Sequence, residues 1–273
     1  MTVLHATPIL AYHSVRTRGG GFHQCTLSPE RLDEQLTGLR AAGFEFVPFS
    51  LAADTLAAGL PGRRICLTFD DGYVDFIEEA LPVLRRHRAA ATLFVTSGLA
   101  GGQSSWLPSA DQLPLLSWSA LREVAAEGVE IGSHGHLHAP LDTADDATLR
   151  REIAGSRQIL EDQLGGAVSA FAYPYGYRTG RAEQAVSAAG YRAACVVTGL
   201  VAGQHDSRWR LPRLLALAPR AIREVLGSSG IRAGGLGESF PADLLAANRR
   251  GLVRGPAAYW MTRRRQHRLR TPR

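Results

Sequence analysis

Apolar runs that end in turn residues alternate with stretches of helical periodicity across residues 8–215 of this 273-residue chain. No other feature constrains the fold as much. Strands are expected at 8–15 (PILAYHSV), 44–49 (FEFVPF), 64–69 (RICLTF), 91–95, 129–134, 168–176 (VSAFAYPYG) and 191–197. LLAL, 214–217, is expected as the last strand. Helices fall between them. Ser28 and Pro29 open one as N-cap and first helical residue, Leu32, Leu36 and Leu39 repeat at helical spacing, and Gly43 ends it. Others follow the Asp70–Asp71 pair (Ile77, Leu81, Leu84), at 117–128, at 146–165 (Leu149, Ile153, Leu160, Leu164) and at 179–190. Strand–helix alternation in units of a few tens of residues implies a parallel sheet. Six or seven such units suggest an α/β chain closed, or nearly closed, into a β/α barrel. The glycine-rich segment 227–237 marks the expected exit, giving a barrel over 1–226 and a short C-terminal extension over 227–273.

Composition excludes several classes. Cys25, Cys66 and Cys195 are far apart, odd in number and without a CxxC pair, which argues against a disulfide framework or a zinc ribbon. The 31 basic residues are all arginine, and the net charge of +6 is concentrated in the tail MTRRRQHRLRTPR. The favoured reading of that tail is a solvated end, and the functional one is contact with an anionic membrane face, nucleic acid or an acidic partner. No export signal or membrane-length apolar run is visible, so a cytoplasmic protein is the expectation, with peripheral membrane contact through the tail as the alternative to a solvated end.

In β/α barrels the chemistry gathers where strands end. Tyr12 and His13 end the first expected strand, Asp70 and Asp71 the third, and His134, His136 and His138 follow VEIGS. Tyr175 closes VSAFAYPYG. An Asp-Asp-Gly turn alone is usually two solvated carboxylates. Beside three histidines in five residues, it reads instead as one carboxylate for a divalent metal and one free to act as a base.

These residues resemble the polysaccharide deacetylases, the NodB-like carbohydrate esterase family. TFDDGY (68–73), SHGHLH (133–138) and FAYPYG (171–176) are similar to its motifs and stand in its order, and ILAYHSV (9–15) is similar to the start of many members. The resemblance implies a distorted (β/α)7 barrel with one divalent ion, zinc first, with cobalt, manganese or nickel as alternatives. It implies Asp71, His134 and His138 as ligands and Asp70 as general base. The backbone N–H of Tyr175 would hold the oxyanion as a linear acetamide is cleaved. The implied partner is an N-acetylated saccharide and not nucleic acid. Trp209 is a candidate wall for the acetyl methyl or a sugar face, against ordinary packing.

The chain departs from the family pattern in three places. Gly135 stands where many members carry Ser or Thr, and Ala172 stands where many carry the arginine that orients the base. No late histidine matches the usual general acid, since His267 lies in the tail. His13 and His136 are therefore the candidate acids. Arg213 is the candidate replacement for the missing arginine, because a guanidinium can clamp both oxygens of Asp70. The alternatives are a hydrolase of a cyclic imide, ureide or other amide on the same barrel and, in a different class, a non-catalytic saccharide-binding barrel.

Overall fold

The computed structural model describes residues 6–17 and 25–216. The 226/227 boundary, the glycine-rich segment, His267 and the arginine-rich tail lie outside those residues.

Eight strands form the main sheet: β1 (Ile9–Tyr12), β2 (Glu45–Val47), β3 (Arg64–Phe69), β4 (Thr92–Val95), β5 (Glu130–Ser133), β6 (Ala170–Ala172), β7 (Ala193–Val197) and β8 (Leu211–Leu215). All pairings are parallel. From β3 the ring runs through β4, β5, β6, β7, β8 and β1, and closes where Ile9 pairs with Cys66 and Tyr12 with Phe69. Seven strands therefore make a closed (β/α)7 barrel. β2 stays outside the ring and pairs only with the first half of β3, Val47 opposite Cys66, which is the distortion.

Period-2 alternation sorts the strand residues between two cores. Ile9, Cys66, Phe94, Ala170, Ala172, Ala193, Cys195 and Leu211 fill the barrel interior. Leu10, Ile65, Leu67, Phe69, Leu93, Ile131, Phe171 and Leu214 face outward into the helix layer. There they meet Leu32, Leu36 and Leu39 of α1 (Pro29–Ala41) and Leu81 and Leu84 of α3 (Leu81–His87). They also meet Leu121 of α4 (Trp118–Ala126), Leu149 of α5 (Asp146–Arg150) and Leu160 of α6 (Ser156–Leu164). The interior is lined by small residues on β6 and β7. On β5, a Cβ at Gly132 would come within 2.5 Å of the Phe94 ring. That slim interior leaves room for the polar side chains described below.

Four local readings change. The 44–49 strand stops at Val47: Pro48 cannot donate to the ladder, and Phe49 starts a further helix, α2 (Phe49–Ala57), not foreseen in the pattern. The 8–15 strand breaks at His13, and Ser14–Val15 instead pairs with Thr26–Leu27. Only Ala170–Ala172 of 168–176 is strand, because Pro174–Gly176 turns. The last strand begins at Leu211, so Arg213 lies inside it and not before it. α7 (Gly180–Ala188) follows the sequence reading, capped by the Thr179 side chain. Among the described residues no helix is long and apolar enough to cross a membrane.

Candidate functional site

The alternation that sends Cys66 and Thr68 inward sends Asp70, the next residue in phase, into the barrel mouth. Asp71 leaves the strand geometry at once. Its φ is +79°, followed by Gly72 at +81°, where a Cβ would meet Val95 at 3.0 Å. The adjacent carboxylates thus diverge. His138 and Tyr175 also hold positive φ, +59° each, so three of the four non-glycine residues in this region among the described residues belong to one site. Each such residue costs about 1–2 kcal/mol, a strain that packing sustains where function uses the geometry.

His134 leaves β5 buried in the same mouth. Its Nδ1–H donates to the Ala172 carbonyl at 2.8 Å, a tautomer assigned from that bond, so Nε2 carries the lone pair. Nε2 of His134 and of His138 lie 3.5 and 3.3 Å from Asp71 Oδ1. One ligand atom from each of the three residues falls within 4.8 Å of the others, and all three side chains are buried. Burial pushes the His134 imidazole down to about 4, which keeps it neutral at neutral pH. Burial also pushes the Asp71 carboxyl up, but His138, His13 and His134 outweigh it and hold the group well below the usual carboxylate range. Among the described residues no donor gives Asp71 Oδ1 a hydrogen bond of good geometry. A buried anionic oxygen that faces the His134 lone pair and has no well-placed donor is costly by itself. The set fits a divalent cation, which relieves that cost.

Asp70 does not join this set. Arg213 Nη1 and Nη2 donate to its Oδ1 and Oδ2 at 2.7 Å each, and Nη1 donates to Thr68 Oγ1 at 2.9 Å. Pro212 points outward and Arg213 inward, so strand alternation on β8 aims the guanidinium into the interior, over the Phe94 ring at 5.6 Å. Burial pushes Asp70 up; Arg213 and His134 more than offset it, and the net direction is down. Asp70 is therefore an anion at neutral pH. His13 sits at the end of β1 with Nε2 3.9 Å from Asp70 Oδ2, and its buried Nδ1 has no hydrogen-bond partner among the described residues. His136 turns elsewhere: its Nδ1 bonds Ser97 Oγ at 2.9 Å.

An aromatic frame surrounds His138. The Tyr175 ring meets it edge-on at 4.4 Å, and Trp106 stacks on it at 4.2 Å with an 18° interplanar angle. Tyr177 stacks behind Tyr175, and Tyr73 lies beside Trp106. Trp209 is not part of this frame. It precedes β8, next to Arg208, whose carbonyl accepts from Ala194 at the start of β7. That is the strand-start end of the barrel, where Trp209 packs on the outer core and its carbonyl accepts from the Tyr173 hydroxyl. Among the described residues the tryptophan at the site is Trp106. It sits in the loop between β4 and α4, pinned by the Tyr73–Leu115 and Gln103–Pro114 bridges. Its only signal in sequence is a long loop leaving a barrel strand at the catalytic end.

The family model described as polysaccharide deacetylase matches residues 57–194. That span contains Asp70, Asp71, His134, His138 and Tyr175, and leaves out His13 and Arg213. The Bacillus subtilis (strain 168) protein YxkH is 23% identical over 209 residues, 76% of this chain and 70% of its own length. A poly-beta-1,6-N-acetyl-D-glucosamine N-deacetylase of Staphylococcus aureus (strain MSSA476) is 24% identical over 164 residues, 57% of this chain. The chain spans 55% of that relative's length. Among solved structures, IcaB from Ammonifex degensii aligns with TM-score 0.69 and 25% identity over 82% of this chain and 96% of IcaB. The Streptococcus pyogenes deacetylase PplD, in complex with acetate, has the same fold: TM-score 0.70, 23% identity, 83% of this chain and 98% of PplD. Motif order, barrel and matched span agree, and the chain belongs to the polysaccharide deacetylase family.

Proposed function

We propose that the protein is a metal-dependent hydrolase that removes the acetyl group from an N-acetylated saccharide. One observation carries this reading: a buried Asp71–His134–His138 donor set stands beside an anionic Asp70 that Arg213 keeps apart from it. Zinc suits two imidazoles and one carboxylate, as do cobalt, manganese and nickel. The ion supplies Lewis acidity toward an acetamide carbonyl and acidifies water at neutral pH.

The chain supplies the rest. Asp70 takes the proton of the attacking water, with the carboxylate plane set by Arg213. The Tyr175 N–H, at the turn after β6, donates to the developing oxyanion. His13 gives a proton to the departing nitrogen as the C–N bond breaks, leaving acetate and a free amine. Trp106 and Tyr175 offer apolar faces for the acetyl methyl or a sugar ring. The relative's printed activity on poly-beta-1,6-N-acetyl-D-glucosamine supports a β-linked N-acetylglucosamine oligomer as the first substrate to try.

The test is acetate release from such oligomers by zinc-loaded, chelator-treated and re-metallated protein. Release that disappears with the metal and returns with it is expected. Full release after chelation, or none from any N-acetylated sugar, overturns the reading. His134→Ala and His138→Ala should abolish both bound metal and release.

A further inference from the structure

The loop that carries His138 is wrapped around a carboxylate from another element. Glu152 lies on the π-turn Arg151–Gly155 that joins α5 to α6, and it is fully buried. Its Oε2 accepts from the backbone N–H groups of His136 at 2.9 Å, Leu137 at 3.0 Å and Ala139 at 3.4 Å. Oε1 accepts a second bond from Leu137 at 3.2 Å. No cationic side chain forms an ion pair with Glu152 among the described residues. Three converging amides take the place a cation would have, and they are what makes a buried anion tolerable there.

The same helix makes a second contact with the loop. Ser156, one turn on from Glu152, donates from Oγ to the Gly135 carbonyl at 2.8 Å and bonds Ser133 Oγ at 2.7 Å. Gly135 has φ +81°, and a Cβ there would lie 2.9 Å from Glu152 Oε2. The carboxylate presses against the backbone between the two ligand histidines. Between the bonded amides of Leu137 and Ala139, His138 holds its left-handed φ with its ring between Trp106 and Tyr175. Among the described residues the His138 Nδ1 has no hydrogen-bond partner, so no side-chain bond from that nitrogen fixes the backbone there.

We propose that Glu152 is a positioning residue for the metal centre: its carboxylate gathers the amides of His136, Leu137 and Ala139, on both sides of His138, and so sets His138 with Nε2 facing Asp71. The proposal rests on the metal reading of the Asp71–His134–His138 set.

The experiment measures zinc affinity of the full chain by competition with a chromophoric chelator, together with the absorption spectrum of the cobalt-substituted protein. Glu152→Gln keeps size but turns an amide NH2 toward backbone N–H groups. It should bind zinc tenfold to a hundredfold more weakly, the scale of losing a group that orients a metal ligand, and its cobalt bands should shift. Glu152→Asp keeps the charge but draws the oxygens back from the loop, and should lose affinity as well. It decides by the same criterion if the glutamine variant does not fold. A variant with a lowered melting temperature but wild-type zinc affinity and cobalt bands shows a merely structural role and overturns the proposal. Wild-type protein that holds no zinc or cobalt removes the metal reading and this inference together.

Discussion

Arg213 and Asp70 are separated by 143 residues and joined by two parallel 2.7 Å hydrogen bonds, both side chains at most 2% exposed. The pair spans the barrel mouth between β8 and the end of β3. It holds the carboxylate plane and keeps Asp70 from turning toward the donor set of its neighbour Asp71. A buried bidentate pair is geometrically specific, and removing one partner leaves an uncompensated charge.

Arg213→Lys separates positioning from charge. An ammonium bonds one oxygen and leaves the other free. Metal content should stay at the wild-type level, while acetate release at saturating substrate falls on the order of tenfold to a hundredfold. Arg213→Met, which strands the Asp70 charge, should lower stability by about 3–5 kcal/mol in denaturant unfolding. Unchanged turnover in the lysine variant would remove Arg213 from the mechanism.

The adjacent aspartates should fail differently. Asp70→Asn keeps the ligand set intact and should retain metal while losing about a hundredfold or more in turnover, the scale of a missing general base. Asp71→Asn should lose metal first, because a neutral amide is a weak substitute for an anionic ligand. Metal analysis beside single-substrate kinetics separates the two. Equal metal content and equal rates in both variants contradict the division of labour.

The two tryptophans should separate along KM and stability. Trp106→Ala opens one face of His138 and the adjoining wall, and with zinc in excess should raise KM about tenfold, equivalent to about 1.4 kcal/mol of lost contact. Trp209→Ala, at the other end of the barrel, should leave KM unchanged and cost about 2 kcal/mol of stability.

Asp75 carries a pH signature. Burial pushes its carboxyl up to about 6, although Ser14 Oγ at 2.5 Å and the Val15 N–H donate to it. In the unfolded chain it titrates near the ordinary Asp value of about 3.9. Between those values the folded state binds more protons, so stability falls as pH rises from about 4 to about 6 and levels off above. The Asp75 contribution is therefore fully present below the unfolded value and lost as pH passes the folded one. Asp75→Asn can keep both partners without the charge. Relative to wild type it should gain about 3 kcal/mol between those limits, read as a melting-temperature difference that widens with pH. A difference that stays flat with pH would place the titration elsewhere.

Local patterns in the chain already specify much of the molecule. Period-2 apolar runs bounded by turns and 3.6-period stretches opened by Ser28, Ser117 and Thr179 depend only on neighbours along the chain, and most elements stand where those patterns put them. The same holds for the barrel class; that Asp71, His134 and His138 form the donor set was implied by the family resemblance, and the structure groups those three side chains. The limits of β2 and β6 were less legible, because Pro48 and Pro174 end strands that apolar content alone would continue.

What joins distant parts of the chain was decided by the tertiary structure. Closure of β1 and β8 onto the ring sets which residues share the mouth. Arg213 reaches Asp70 only because β8 registers with β1 and alternates in phase with it. Trp106 faces His138 because its loop folds back against Tyr73 and Leu115, whereas Trp209, with an equally plausible local context, is carried to the other rim. Glu152 looks like one more helix glutamate until the π-turn aims it at the histidine loop. Helix and strand periodicity encode which face is apolar. They do not encode which distant polar groups meet, because that depends on strand register and ring closure, which arise only when all seven strands pack together.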